Sequence, residues 1–454
     1  MPASEAILSG KIPALILRNA APSTAAMIAA GFPQLLDALL LARSGTAQAS
    51  AASAGYPILL MIQTIGFTLG MGAGSSISRS LGRRDRENAL RTASTAFFLS
   101  LLLSGALCVF GLIWTAPLSR LLGADPQTLG DASLYIRYVL LTGPLLCMNL
   151  MLSSLLRAQA QMRPYMIAYL AGSTGSCLLQ FILIVALNMG VTGSGIAMLV
   201  RESIVFAVLL FSIFRKGMRL RPRLGLLSLS RKMLSDIMRS GTPTLLRQGM
   251  TALSSALITR SASAFGSASF AGLGLSMRAA SMVSSAIIGF GQGFQPVCGV
   301  AFGANNLKRV YESYRFCQRF LFAALLALGA AVFAWSRQVF SLFAADPQAS
   351  EIAVFSLRAQ SMTFFAQGAV IMMNMLVQSI GLPVRASLIA TSRQGYVLLP
   401  LVLILPRIFG LPGLLLSQSS SDVLSLLLCI PLTRSVTRSL CAPRECLHAR
   451  KASP

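Results

Sequence analysis

The chain is 454 residues long, and its composition excludes a water-facing surface over most of that length. Hydrophobic residues make up 55% of it and charged residues 11%, whereas soluble domains carry about 25% charged residues. Lipid is therefore expected to be the main solvent. The net charge of +25 would suit a nucleic-acid-binding protein, but the basic residues lie between apolar segments, so we expect no binding to nucleic acid.

Twelve apolar stretches are long enough to cross a hydrocarbon core of about 30 Å as helices. The first six lie near residues 15–41, 51–78, 93–117, 131–156, 164–187 and 193–214. The second six lie near residues 240–263, 270–300, 317–337, 352–379, 386–407 and 413–433. The sequence therefore predicts an all-α integral membrane protein, with twelve transmembrane helices in two pseudo-symmetric six-helix lobes.

The two lobes are interpreted as two copies of one unit, separated by 221 residues. Gly289–Asn306, GFGQGFQPVCGVAFGANN, has its counterpart in Thr68–Asp85, TLGMGAGSSISRSLGRRD. The same offset relates Arg18 to Arg239, Pro22 to Pro243, and Arg137 to Arg358. A constant offset over more than a hundred residues indicates a duplication. Two copies with six crossings each insert in parallel, related by an axis along the membrane normal.

Lys and Arg are concentrated in alternate loops, and this pattern predicts the orientation in the membrane. The connection between the sixth and seventh spans holds eight basic residues from Arg215 to Arg239. The even-numbered loops and both termini are therefore expected in the cytoplasm, in a multi-pass protein of the plasma (inner) membrane. The predicted domains are an N-terminal lobe (1–214), a basic cytoplasmic linker (215–239), a C-terminal lobe (240–437) and a cytoplasmic tail (438–454).

Polar side chains inside the predicted spans are the candidate functional residues, because a charge at the bilayer centre costs at least about 2.5–3.5 kcal/mol. Asp37 is surrounded by apolar residues, with no basic residue one helical turn away. Since burial disfavours the ionised form of a carboxylate, we expect Asp37 to exchange the coupling ion. The structural alternative is a pair with an arginine from another helix.

Other polar residues could line a substrate cavity. They are Gln34, Asn149, Gln180, Arg247, Arg278, Gln292, Gln295, Asn374 and Asp422. Asp422 could instead pair with Arg247 or Arg278. The adjacent Arg201 and Glu202 are interpreted as a structural pair or as interfacial residues.

Three prolines inside predicted spans, Pro22, Pro243 and Pro296, each remove a backbone hydrogen bond and bend a helix. They are expected to act either as structural kinks or as hinges that line a cavity. The chain has one histidine and no phosphate-binding loop, so we predict no enzyme, no metal site and no cofactor besides H⁺ or Na⁺ as the coupling ion.

These features resemble the multidrug and toxic compound extrusion (MATE) transporters, especially the MepA-like subgroup. Gly291–Ala304, GQGFQPVCGVAFGA, is similar to the family's Gly-x-Gly-Phe-Gln-Pro segment in the eighth span, and Gly72–Ala89 resembles its first-lobe counterpart. Leu156–Pro164, LRAQAQMRP, resembles the family's Arg-Ala-Gln-Gly segment, with Ala160 in place of Gly. Ser392–Asp422 resembles the subgroup's signature for the last two spans.

The resemblance implies alternating access, with the two lobes rocking between outward and inward openings while protons or sodium ions drive drug export. The family's first-span acid corresponds to Asp37. Its polar pair in the fifth span falls on Ser176 and Gln180, and the second-lobe acids that some members use for sodium are missing.

We therefore expect a proton-coupled multidrug antiporter that exports amphipathic, cationic drugs or other toxic organic compounds. It is expected to be a monomer surrounded by membrane lipid. The alternative is a flippase of a lipid-linked or anionic substrate with the same two-lobe fold, which Arg247 and Arg278 would favour.

Overall fold

The computed structural model describes residues 7–44, 46–121, 129–215, 220–228, 230–343 and 347–441, and these residues form helices and no strand. Within these ranges, nine helices are long and apolar enough to cross a membrane. The helices of the first half are α1 (Ile12–Ser44), α2 (Thr46–Gly82), α3 (Arg86–Ile113), α4 (Thr115–Leu121), α5 (Leu129–Ala158), α6 (Met162–Gln180) and α7 (Gly190–Phe214). Those of the second half are α8 (Arg231–Ser263), α9 (Ser267–Gly303), α10 (Leu307–Phe343), α11 (Pro347–Ser361), α12 (Phe364–Ser379), α13 (Pro383–Ser392) and α14 (Leu398–Cys441).

The helices cover all twelve predicted stretches, but the seventh, α8, is not among the nine apolar helices, and several other crossings are broken. A π-helical turn, Phe181–Ala186, continues α6, and the short α4 follows α3. The tenth crossing consists of α11 and α12, and the eleventh consists of α13 and the first part of α14. The last two crossings meet inside α14 at Gly410, where φ is 64° and ψ is −143°. A residue with a Cβ atom is strained in that conformation, which explains why a glycine separates the two crossings.

The repeat is visible in the loops as well as in the sequence. Arg84 follows α2 with φ 60°, and Asn305 follows α9 with φ 58°, so both helices end in a left-handed residue. The next residue in each loop caps the following helix. Asp85 and Asn306 each accept a hydrogen bond from the backbone N–H three residues later, at 3.0 Å and 3.1 Å. All these positions are related by the 221-residue offset.

The chain divides into two compact units whose boundaries follow the same repeat. The first unit is Ala21–Gly241, and the second consists of Met1–Ala20 together with Thr242–Pro454. The helices α1 and α8 therefore each contain residues of both units. The boundaries predicted from sequence at residues 214, 239 and 437 stay a prediction.

Large apolar side chains are exposed along the predicted spans, as lipid contact requires. Phe110 of α3 and Phe211 of α7 are 69% and 72% exposed, and Leu427 of α14 is 59% exposed. The interior of the first unit contains small residues beside larger ones, such as Ala73, Ala93 and Leu152, which are fully buried. Small residues at helix contacts allow close approach of the backbones in lipid.

Candidate functional site

Asp37 lies on α1 of the first unit, beside side chains from α5 and α7. The Ser194 hydroxyl is next to its carboxyl group, and Arg201 and Tyr135 are close enough to interact with it electrostatically. One carboxylate oxygen, Oδ1, is buried and has no hydrogen-bond partner among the described residues. An acceptor in this state can take a proton or a cation without giving up an existing hydrogen bond.

Pro33 lies one helical turn before Asp37 and interrupts the hydrogen bonds of α1. Because proline has no N–H, the carbonyl oxygen of Ala29 loses its donor within the helix. The Ser173 hydroxyl of α6 donates to that oxygen at 2.7 Å. Gln180, at the end of α6, donates to the carbonyl oxygen of Pro33 at 3.3 Å, and its own Oε1 is buried with no partner in the described part of the chain. This part of α1 is therefore held by α6 through side-chain donors.

Arg201 and Glu202 form a buried ion pair on α7, which confirms the structural interpretation of these adjacent residues. The Arg201 Nη2 to Glu202 Oε1 distance is 2.6 Å, and the two side chains are 9% and 2% exposed. Asn149 of α5 donates to the other carboxylate oxygen of Glu202 at 2.7 Å and to its backbone carbonyl at 2.9 Å. Both carboxylate oxygens of Glu202 therefore have a partner, whereas the Oδ1 atom of Asp37 has none among the described residues.

The second unit contains a cavity of about 300 Å³ that is lined by residues of α8, α9 and α11 to α14. Its polar lining includes Arg247, Gln248, Thr251, Ser281, Asn374 and Gln418, together with Arg393 from the end of α13. Its apolar lining includes Ile258, Leu273, Met277, Leu414 and Leu415. Asn374 also donates to the backbone carbonyl of Ala386 at 2.7 Å, which ties α12 to α13.

Asp422 of α14 pairs with Arg393, so its predicted pairing with Arg247 or Arg278 is wrong. The Arg393 Nε atom donates to Asp422 Oδ1, and the Thr363 hydroxyl donates to Oδ2 at 3.2 Å. The Asp422 side chain is 1% exposed. A buried carboxylate needs this kind of compensation, and a neighbour on the adjacent crossing supplies it.

The structure places the remaining predicted site residues as follows. The side chain of Arg278 is exposed, and it does not line this cavity. Gln34 of α1 is also exposed. Gln292 of α9 is buried, and its Oε1 atom has no partner within the described ranges, whereas Gln295 donates to Gln378 at 3.4 Å. The three predicted hinges lie inside helices: Pro22 in α1, Pro243 in α8 and Pro296 in α9.

The site residues that the sequence did not identify include Pro33, Ser173 and Ser194 near Asp37, and Thr251, Ser281, Arg393 and Gln418 in the cavity. A usable signal existed for Pro33, since it precedes Asp37 by one helical turn. Arg393 and Asp422 are 29 residues apart, so no helical spacing in the sequence identifies them as a pair. Ser173 and Ser194 are ordinary helical serines in the sequence, so no pattern distinguishes them from others.

The comparisons with known proteins agree with the repeat. The family model described as MatE matches residues 22–182 and again residues 243–404. The two matches begin 221 residues apart. Together they cover most of the chain.

Curated relatives and solved structures point in the same direction. The chain is 24% identical over 395 residues to a multidrug export protein MepA of Staphylococcus haemolyticus, covering 86% of each chain. It is 24% identical over 365 residues to a MepA of Staphylococcus aureus, covering 80% of each. It superposes, with a TM-score of 0.90 and 23% identity, on an outward-facing multidrug resistance MATE family transporter of the MOP superfamily, covering 96% of this chain and 98% of that one. The chain therefore belongs to the MatE family of multidrug efflux transporters, which are multi-pass membrane proteins with twelve transmembrane helices.

Proposed function

We propose that this protein is a proton-coupled antiporter that exports amphipathic organic compounds, cationic drugs included, across the plasma membrane by alternating access. Proton coupling is supported by the buried Oδ1 atom of Asp37, which has no hydrogen-bond partner among the described residues. The other buried carboxylate described in the first unit, Glu202, is already neutralised by Arg201. Asp37 is thus the group of this unit best suited to bind a proton.

The neighbours of Asp37 allow a proton to change how α1 packs. A protonated carboxyl is neutral and can donate a hydrogen bond to a hydroxyl such as that of Ser194. An ionised carboxylate is attracted electrostatically to Arg201, which already forms an ion pair with Glu202. Since the two protonation states favour different partners, proton binding can shift the balance between two packings of α1 against α7.

Transport by purified protein in proteoliposomes tests the proposal. A cationic dye is followed under an imposed pH gradient or an imposed sodium gradient, with wild type, Asp37→Asn and Asp131→Asn compared. Asp131 is an exposed acid of the same unit and serves as the matched control. We expect pH-driven transport by wild type and Asp131→Asn, and none by Asp37→Asn. Wild-type rates in Asp37→Asn would overturn the role of Asp37, and transport driven only by sodium would overturn proton coupling.

The alternative of a flippase for a lipid-linked or anionic substrate is tested in the same vesicles with a fluorescent anionic lipid. Movement of that lipid between leaflets without dye transport would favour the flippase.

In the proposed arrangement the transporter works as a monomer, with both termini and the linker between residues 215 and 239 at the cytoplasmic face.

A further inference from the structure

We propose that the cavity of the second unit binds an amphipathic organic anion, whose acid group pairs with Arg247 while its apolar part lies against Ile258 and Leu273. This goes beyond the proposed function, because binding here does not depend on proton exchange at Asp37. It adds anionic or zwitterionic compounds to the expected cationic substrates. Three properties of the cavity support this proposal: its charge, its polarity and its size.

The charge of the lining is positive. Among the described residues, the charged side chains that line the cavity are Arg247 and Arg393, and no carboxylate does. Asp422, behind Arg393, neutralises that arginine. Arg247 has no acid within ion-pair distance among the described residues, and the charged group that acts on it is Arg393, which repels it. A guanidinium inside a membrane protein normally has an anionic partner, and the cavity beside Arg247 has room for one.

The polarity of the cavity changes along α8. One face of α8 lines the cavity with residues at helical spacing, which are Arg247, Thr251, Ser255 and Ile258. Along this face the side chains change from charged, through two hydroxyls, to apolar. Eleven residues of helix separate the two ends by about 16 Å. Beyond Ile258 the wall continues as one buried apolar cluster that includes Leu273, Leu414 and Leu415. Such a cavity matches a molecule with an acid group at one end and a hydrocarbon or ring system at the other.

The size of the cavity narrows the class of anion. About 300 Å³ is at the lower end of the range for ligand pockets. It suits an acid with a short chain or one to two rings better than a lipid-linked oligosaccharide. A free organic acid and the headgroup of an anionic lipid present the same acid group to Arg247, so the test must separate them.

Equilibrium binding to the purified full chain in non-ionic detergent tests the proposal with two matched fluorescent probes. One is dansyl-aminohexanoic acid and the other is its neutral primary amide, which has the same fluorophore and chain. We expect wild type to bind the acid at least about tenfold more tightly than the amide, as a charge-assisted pair requires. Equal affinities for the two probes in wild type would overturn the proposal without any variant.

Variants assign the preference to Arg247. In Arg247→Gln the acid should bind no better than the amide, whereas Arg247→Lys should retain part of the preference. Arg260→Gln is the matched control, because Arg260 is an exposed arginine on the same helix that does not line the cavity. Each variant is checked by thermal unfolding in the same detergent. A tenfold preference that persists in well-folded Arg247→Gln would overturn the assignment.

Two further measurements complete the test. One distinguishes a lipid headgroup from a free organic acid, and the other distinguishes failure of this proposal from failure of the proposed function. Phosphatidylglycerol that displaces the acid from wild type, with phosphatidylcholine inert, would assign the pocket to a lipid headgroup, and no displacement would assign it to a free organic acid. Asp37→Asn should keep the full acid preference, since binding is measured without a gradient. Loss of transport in Asp37→Asn with retained binding would therefore support both proposals independently.

Discussion

The backbone of α2 at Gly72 packs directly on the backbone of α8 at Gly241. A Cβ atom added to Gly72 would lie 2.2 Å from the carbonyl oxygen of Ile237, and one added to Gly241 would lie 2.4 Å from the carbonyl oxygen of Thr68. The second unit has the equivalent contact. A Cβ atom added to Gly293 of α9 would lie 2.4 Å from the Cα atom of Ala20 on α1.

These two contacts are related by the 221-residue offset, and they explain where the units divide. The beginning of α8, up to Gly241, packs on α2 and belongs to the first unit. The beginning of α1, up to Ala20, packs on α9 and belongs to the second unit. Each copy of the repeat therefore contributes the start of its first helix to the other copy's unit.

We expect Gly72→Ala and Gly293→Ala to lower thermal stability, because the added methyl group meets backbone atoms that cannot rotate away. Overpacking of this kind costs about 1–3 kcal/mol. The measurement is the unfolding midpoint of the purified protein in detergent. Gly274→Ala on α9 is the control, since a Cβ atom there meets nothing within 4 Å. Midpoints for all three variants at or above that of wild type would contradict the close backbone packing.

A second prediction concerns the interruption of α1 at Pro33. Ser173→Ala should destabilise the protein, because the Ala29 carbonyl oxygen then loses the donor seen at 2.7 Å. An unsatisfied acceptor costs about 1–3 kcal/mol. In a Pro33→Ala background the new backbone N–H can bond that oxygen, so Ser173→Ala should then have little effect. The measurement is the shift of the unfolding midpoint in a double-mutant cycle. If Ser173→Ala lowered the midpoint equally in both backgrounds, the hydroxyl would not be the donor to this oxygen.

A third prediction concerns the ion pair between Arg393 and Asp422. Arg393→Gln or Asp422→Asn alone should be strongly destabilising, because each leaves one buried partner uncompensated, at a cost of about 3–5 kcal/mol. The double variant should lose less stability than the sum of the two single variants.

The exposed pair between Arg91 and Glu87 is the matched control for that experiment. Its side chains are 49% and 70% exposed, so Glu87→Gln should change the unfolding midpoint little. Strict additivity of Arg393→Gln and Asp422→Asn in the double variant would argue against direct coupling of the two side chains.

A fourth prediction concerns orientation in the membrane. Cysteines introduced at Gly130 and Gly225 have open space around them, since a Cβ atom at either position meets nothing within 4 Å. The charge pattern predicts that Gly130 lies outside and that Gly225, in the connection between α7 and α8, lies in the cytoplasm. In intact cells an impermeant thiol reagent should label Gly130→Cys, and should label Gly225→Cys only after permeabilisation.

Labelling of the chain with neither substitution is the control, because it measures the reaction of the eight native cysteines. Ready labelling of Gly225→Cys in intact cells, with Gly130→Cys protected, would reverse the proposed orientation.

Some properties of this protein follow from the sequence alone, because they depend on one-dimensional patterns. Hydropathy and charge identify the membrane class, and segment length gives the twelve crossings. The constant offset reveals the duplication, which reappears in the left-handed residues Arg84 and Asn305. Asp37 is recognisable because a carboxylate in an apolar run is rare in any membrane helix.

Which side chains meet depends on how the helices pack in three dimensions. Among the described residues, the structure pairs Asp422 with Arg393, leaves Arg247 beside the cavity with no acid at ion-pair distance, and leaves Arg278 out of the cavity lining. The structure also shows that the Ser173 hydroxyl donates to the Ala29 carbonyl oxygen, which has no backbone donor because Pro33 lacks an N–H. Hydropathy reports that a segment is buried in lipid, but these contacts depend on the rotation of each helix about its axis and on its neighbours. A turn of α9 by half a revolution would keep every crossing in place and would reverse which of its residues face the cavity.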